Sequence, residues 1–189
     1  MESIQRLQLP QLGVNENGYA CRTGFGARPV DEKAAQLLVL VGGDETTRTF
    51  DPAAAYPSLR VHGIDWQSGW GQTHTDPEPL PLSLSVGEWL LHFGRPPGML
   101  TADVEYQAVC FDATPQECAT LGRDLATRAE RVAMLVLVGG TALRGDATGR
   151  AAWQVLAGAA EGARLQADLL LMPEPYEVGH FVGSWTERP

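Results

Sequence analysis

The sequence predicts an α/β fold: a single domain built on a mostly parallel central sheet with helices on both faces. Two observations carry this. The segment Leu-Val-Leu-Val-Gly-Gly occurs twice, at Leu38–Gly43 and Leu135–Gly140, each time closing a continuous apolar run. A run apolar on both faces suits a strand covered from both sides, as in a parallel sheet. The stretch from Val104 to Gly140 then passes from strand-like to helix-like to strand-like pattern. That is the signature of a βαβ unit with a right-handed crossover.

Residues 1–30 form an irregular N-terminal segment, punctuated by Asn15, Asn17, Gly18, Gly24, Gly26 and Pro29. A short strand is expected near Arg6–Leu9 and a helical turn at Asp31–Gln36. Leu37–Val41 is the first core strand, closed by Gly42-Gly43. Both repeated segments are expected in the sheet interior, running in the same direction. Residues 44–81, rich in Pro, Gly, Thr and Asp, make a long loop that holds Trp66, Trp70, His62 and His74. Loops of that length in a compact domain are usually functional or flexible.

Leu82-Ser83-Leu84-Ser85-Val86 alternates apolar and polar residues and predicts a strand. A helix over Glu88–Phe93 follows, stopped by Gly94 and Pro96-Pro97. His92 near its end suits the negative pole of the helix dipole. Val104–Phe111 is strand-like. Thr114-Pro115-Gln116-Glu117 is a capping box with proline at the first helical position. Cys118, Leu121, Leu125 and Ala129 continue at helical spacing, with Arg128 and Arg131 at the far end. Val132–Val138 is the second core strand. Ala147–Leu165 predicts a helix with Trp153, Leu156 and Ala160 on one stripe; Ala167–Met172 and Val178–Trp185 predict closing strands.

Composition narrows the function. The chain has 189 residues, 44% of them apolar, enough for one domain with a real core. Its net charge of -9 and scattered Lys and Arg argue against nucleic acid and anionic membranes as partners. Residues Met1–Arg6 lack a signal-peptide profile, and no apolar run approaches a bilayer's thickness, so a cytoplasmic location is expected. Cys21, Cys110 and Cys118 are too few and too irregular for a disulfide framework. Cys110 and Cys118 fall at core positions of a strand and a helix.

Open parallel sheets bind ligands beyond the carboxyl ends of their strands. The candidate pocket is therefore Gly42, Gly43, Asp44 and Glu45 with Gly139, Gly140 and Thr141, where glycines let the backbone approach a ligand. Gly24-Phe25-Gly26 lacks the preceding strand and third glycine of a dinucleotide fingerprint, and no Gly-x-Ser-x-Gly elbow occurs. Candidate metal ligands are His62, His74, Glu45 and His180. A non-haem iron face needs two histidines and a carboxylate.

Leu37–Gly43, Pro81–Leu91, Thr114–Gly140, Gly149–Ala160 and Pro175–Val182 together resemble, in order, the class III extradiol ring-cleavage dioxygenases, specifically subunit-B-like proteins of actinobacterial type. The resemblance implies an α/β sheet enclosing an Fe(II) site, held by two histidines and a glutamate, that opens catechol rings with O2, a further histidine acting as acid and base. This chain departs from it at the site. Residues 1–30 contain no histidine, Asp44-Glu45 stand where a ligand histidine follows the first core strand, and Thr141-Ala142-Leu143 stand where the catalytic histidine is expected.

The expectation is a divergent, non-catalytic member of that fold, without a cofactor, that binds a small molecule or a partner protein. Two alternatives stand beside it: an active Fe(II) dioxygenase with ligands relocated to the long loop, and a subunit completed by another chain, such as a homo-oligomer.

Overall fold

The computed structural model describes residues 13–14, 20–21, 35–68, 77–94, 102–138, 147–171 and 181–187. The chain divides into two units, Met1–Ala34 and Ala35–Pro189. In the first, strand β1 (Gly13–Val14) pairs antiparallel with β2 (Ala20–Cys21). The strand expected near Arg6–Leu9 lies outside the described residues, as does most of the turn expected at Asp31–Gln36.

The second unit is organised by β3 (Leu37–Asp44). Its first six residues are all buried. Both of its edges are paired, with β7 (Asp103–Cys110) on one side and β8 (Val132–Leu137) on the other, each parallel to it. The strand β4 (Arg48–Phe50) adds antiparallel to β7, giving a mixed four-stranded sheet in the order β4-β7-β3-β8. Short strands β5 (Ala55–Tyr56) and β6 (Glu78–Pro79) pair with each other, and a 3-10 turn spans Arg60–His62. Within the span read as one long loop, 44–81, the described residues thus include short strands and a 3-10 turn. Gln107, buried in β7, fastens β4: its amide oxygen accepts from Thr49 Oγ1 at 2.8 Å and its Nε2 donates to the Arg48 carbonyl at 3.1 Å.

Three helices cover the sheet: α1 (Leu82–Gly94), α2 (Pro115–Ala126) and α3 (Ala147–Ala159). Alternate residues of β3 serve opposite layers. Leu37, Val39 and Val41 pack with Cys118 and Leu125 of α2 and Ala151 and Val155 of α3. Leu38 and Leu40 pack with Leu84 of α1, Phe50 and Tyr106. The chain moves from β3 to β7 through α1 on one face, and from β7 back past β3 to β8 through α2 on the other. Reversing direction while changing face keeps both crossovers of one hand.

Three expectations change. Leu82–Val86 is the first part of α1, not a strand. Its serines imitate alternation but both turn inward: Ser83 Oγ donates to the Gly43 carbonyl at 3.0 Å and Ser85 Oγ to the Leu80 carbonyl at 3.1 Å. Helical spacing instead buries Leu84 and Glu88 together. Next, among the described residues only the first repeat is paired on both of its edges. β8 ends the four-stranded sheet, and all six of its residues are half-buried. Last, α3 stops at Ala159 and buries Ala151, Ala152 and Val155, not the stripe through Trp153. Helix α3 meets α2 backbone to backbone. A Cβ at Gly122 would lie 2.7 Å from the Ala159 nitrogen, and one at Gly158 would lie 2.5 Å from Ala119 Cα.

The expected capping box forms in full. The Glu117 amide donates to Thr114 Oγ1 at 3.3 Å, and the Thr114 amide donates to Glu117 Oε2 at 2.8 Å. These bonds, first from the Thr114 backbone and then from its hydroxyl, hold the Glu117 carboxyl below its ordinary range. A carboxyl lowered in the folded state stabilises above its unfolded pKa, and that contribution disappears as pH falls through the folded value. Thr114→Ala is expected to cost roughly 0.5–2 kcal/mol at neutral pH by urea unfolding. The stability difference between wild type and Glu117→Ala, present at pH 7, is expected to shrink in strong acid.

Candidate functional site

The carboxyl ends of β3, β7 and β8 lie side by side. Gly42 pairs with Leu137 of β8, and Asp44 pairs with Cys110 of β7. The connection leaving β3 leads to α1 on one face, whereas the connection leaving β8 leads to α3 on the other. The gap between β3 and β8 is therefore a topological switch point, the place where open α/β sheets hold ligands. Gly42, Gly43, Asp44 and Glu45 stand there; Gly139, Gly140 and Thr141 lie outside the described residues.

Protein atoms fill part of that gap. Gly42 is buried, and a Cβ on it would lie 2.7 Å from Ser83 Cβ and 3.2 Å from Leu84 Cδ2. Glycine is required here because the first turn of α1 rests on the strand end, its Ser83 hydroxyl bonded to the Gly43 carbonyl.

A concave surface opens on the other side of β3. It encloses about 350 Å³ and is lined by Thr47, Cys110, Asp112, Ala113 and Glu117. The turn after β3 and the turn after β7 build it jointly. The Phe111 amide donates to the Asp44 carbonyl at 3.1 Å, and the Cys110 amide to Thr47 Oγ1 at 2.9 Å. The Cys110 thiol donates to the Glu45 carbonyl at 3.1 Å, so this half-buried cysteine ties the two turns together. Glu117, itself exposed, lines it with one carboxylate oxygen engaged by Thr114. Asp112 is exposed at the rim. Behind them Cys118 is buried, and burial first, then the Glu117 charge, push its thiol above its ordinary range. That keeps it protonated and inert at neutral pH.

A second polar feature lies under the opposite face. The Tyr106 hydroxyl donates to Glu88 Oε1 at 2.8 Å, with both side chains buried. Burial, followed by the Glu88 carboxylate, raises the phenol far above its ordinary value, so Tyr106 stays a donor at any physiological pH.

The predicted metal ligands do not converge among the described residues. His62 is exposed on the 3-10 turn, and Glu45 is exposed after β3. His74 and His180 lie outside the described residues. Nowhere among the described residues do three His, Cys, Asp or Glu side chains gather as a metal site. Around the concave surface the donors are Cys110, Asp112 and Glu117, with no imidazole. That set does not fit the two-histidine, one-carboxylate face that holds non-haem Fe(II). His92, in the last turn of α1, stands 6.1 Å from the Trp66 ring, a tilted aromatic contact.

Thr47, Cys110, Asp112 and Ala113 escape a reading centred on the Gly-Gly turns. The available signal is the capping box: a strand ending at Cys110, with a helix starting at Pro115, places a strand–helix turn on the ligand edge of the sheet.

The fold and site define a three-layer α/β domain with a concavity at the carboxyl edge of a mixed sheet. No family model matches the chain, and no curated protein or solved structure is significantly similar to it. No helix among the described residues is long and apolar enough to cross a membrane.

If Gly42 serves α1 packing, Gly42→Ala destabilises the fold and Ser83→Gly in the same chain recovers part of the loss. Overpacking of this kind costs about 1–3 kcal/mol. Thermal unfolding of the single and double variants measures it, and simple additivity of the two substitutions would contradict the packing role.

Proposed function

We propose that this chain is a divergent, non-catalytic relative of the class III extradiol dioxygenases that binds a small molecule at the carboxyl edge of its sheet. The observation that carries the reading is the concave surface of about 350 Å³ between the turns after β3 and β7. Its volume falls within the range of small-molecule sites, and its position follows the general rule for open α/β sheets. Its polar lining offers acceptors: the Asp112 carboxylate and the carboxylate oxygen of Glu117 that Thr114 leaves open. A ligand presenting hydroxyl or amine donors suits that lining, and an anion does not.

The non-catalytic part rests on donor chemistry. The resemblance puts ligand and catalytic histidines after the core strands, where this chain has Asp44-Glu45 and Thr141-Ala142. Carboxylates on a turn hold hard cations loosely and do not replace imidazoles around Fe(II).

Catechol, with two adjacent hydroxyl donors, is the first probe. Titration of metal-free protein is expected to shift the amide resonances of Thr47, Cys110 and Ala113. Asp112→Asn combined with Glu117→Gln is expected to weaken binding at least about tenfold, since it removes both charged acceptors. Anaerobic Fe(II) loading followed by catechol and O2 is expected to yield no ring-opened product. Stoichiometric iron and a yellow product, both lost in His62→Ala or His74→Ala, would replace this reading with that of an active dioxygenase.

A further inference from the structure

The sheet stops at β8, yet the chain that follows carries two more strands. Strand β9 (Leu165–Leu171) pairs antiparallel with β10 (Phe181–Glu187) along its whole length, from Leu165↔Glu187 to Leu171↔Phe181. Together they form a separate two-stranded ribbon. Two-stranded ribbons alone are marginally stable in water. Gln166, Ala167, Asp168, Ser184, Trp185 and Thr186 of this ribbon are all exposed.

We infer that the outer edge of β8 is the docking edge for the β9–β10 ribbon of the same chain, which extends the sheet beyond its fourth strand. Three observations point to this occupant. First, β8, α3 and β9 follow one another as strand, helix and strand, with only five residues between α3 and β9. The turn after α3 is reversed by Gly162, at φ +81°, a conformation that favours glycine. Second, α3 covers the same sheet face as α2. The β7–α2–β8 crossover moves from β7 toward β8, so a second crossover of the same hand on the same face continues outward and delivers β9 beside β8, parallel to it. Third, the ribbon touches α3 through one aromatic pair. The Trp185 ring meets Trp153 of α3 edge to face, with centroids 5.9 Å apart.

The edge offered is apolar and hydrogen-bonding. The Gln36 and Leu37 amides donate to the Arg131 carbonyl, so Arg131 faces β3. Successive residues of a strand direct their N–H and C=O groups to opposite sides. Ala133 and Leu135 therefore also face β3, and Val132, Met134 and Val136 present their backbone groups outward. Among the described residues these outward groups face no paired strand. Unpaired apolar edges are aggregation hazards that native folds cover.

Amide hydrogen exchange on the intact chain tests this. The expected result is protection of Val132, Met134 and Val136 within about tenfold of Ala133 and Leu135, unchanged on tenfold dilution, in a monomer. A double variant, Ala167→Pro with Asp168→Pro, removes one N–H from each edge of β9 and is expected to release the outward amides by at least about tenfold while Ala133 and Leu135 stay protected. Free exchange of the outward amides in the wild type would overturn the inference. So would protection that survives the proline variant, or protection that is lost on dilution, which assigns the edge to a second copy.

Discussion

Burial of β3 on both faces and both edges is the constraint on which the rest of the structure depends. Leu37, Val39 and Val41 feed the layer formed by α2 and α3, and Leu38 and Leu40 feed the layer formed by α1. No residue of the strand before Gly43 is free to be polar. Neighbouring strands must then be parallel, because the connections between them have to climb over one face or the other as helices. The same burial explains why two close approaches use glycine. Gly42 admits the first turn of α1, and a Cβ at Gly87 would lie 2.9 Å from the Leu40 side chain.

The candidate site's edge follows from the sheet. With β7, β3 and β8 parallel, their carboxyl ends and the turns that leave them gather at one edge. The α1 turn takes up space beside Gly42, which leaves the opposite side, over the start of α2, as the concave surface. The groups that shape it also tie it down: Thr47 and Cys110 join its two turns, and the Thr114–Glu117 capping box fixes the lining carboxylate. For the proposed ligand, hydrogen-bonding geometry that is already set would lower the cost of binding.

Much of this was legible in the residues. Continuous apolar runs identify β3 and β8, and the Thr114–Glu117 spacing locates the start of α2 because a capping box is a local interaction. Leu82–Val86 misleads because the two serines are satisfied by distant or preceding carbonyls, at Gly43 and Leu80, and polarity in sequence then says nothing of exposure. That β8 pairs with β3 on one edge alone among the described strands is equally hidden: its apolar run matches that of β3, and strand order is set by crossover topology, not by composition. At the candidate site the glycines and acids of the β3 turn are visible in sequence. Cys110 and Thr47 are not, because their roles come from a pairing between segments far apart in the chain. Of the candidate ligand histidines, His62 alone lies among the described residues, and it is exposed on its turn.

Matched substitutions on the two faces of β3 test the organising role most directly. Leu37 faces α2 and α3, and Leu40 faces α1. Urea unfolding of Leu37→Ala and of Leu40→Ala is predicted to show a loss of about 2–5 kcal/mol in each, the cost of removing a buried leucine side chain. A large loss on one face with less than about 1 kcal/mol on the other would mean that β3 is covered from one side only, and would contradict the three-layer account.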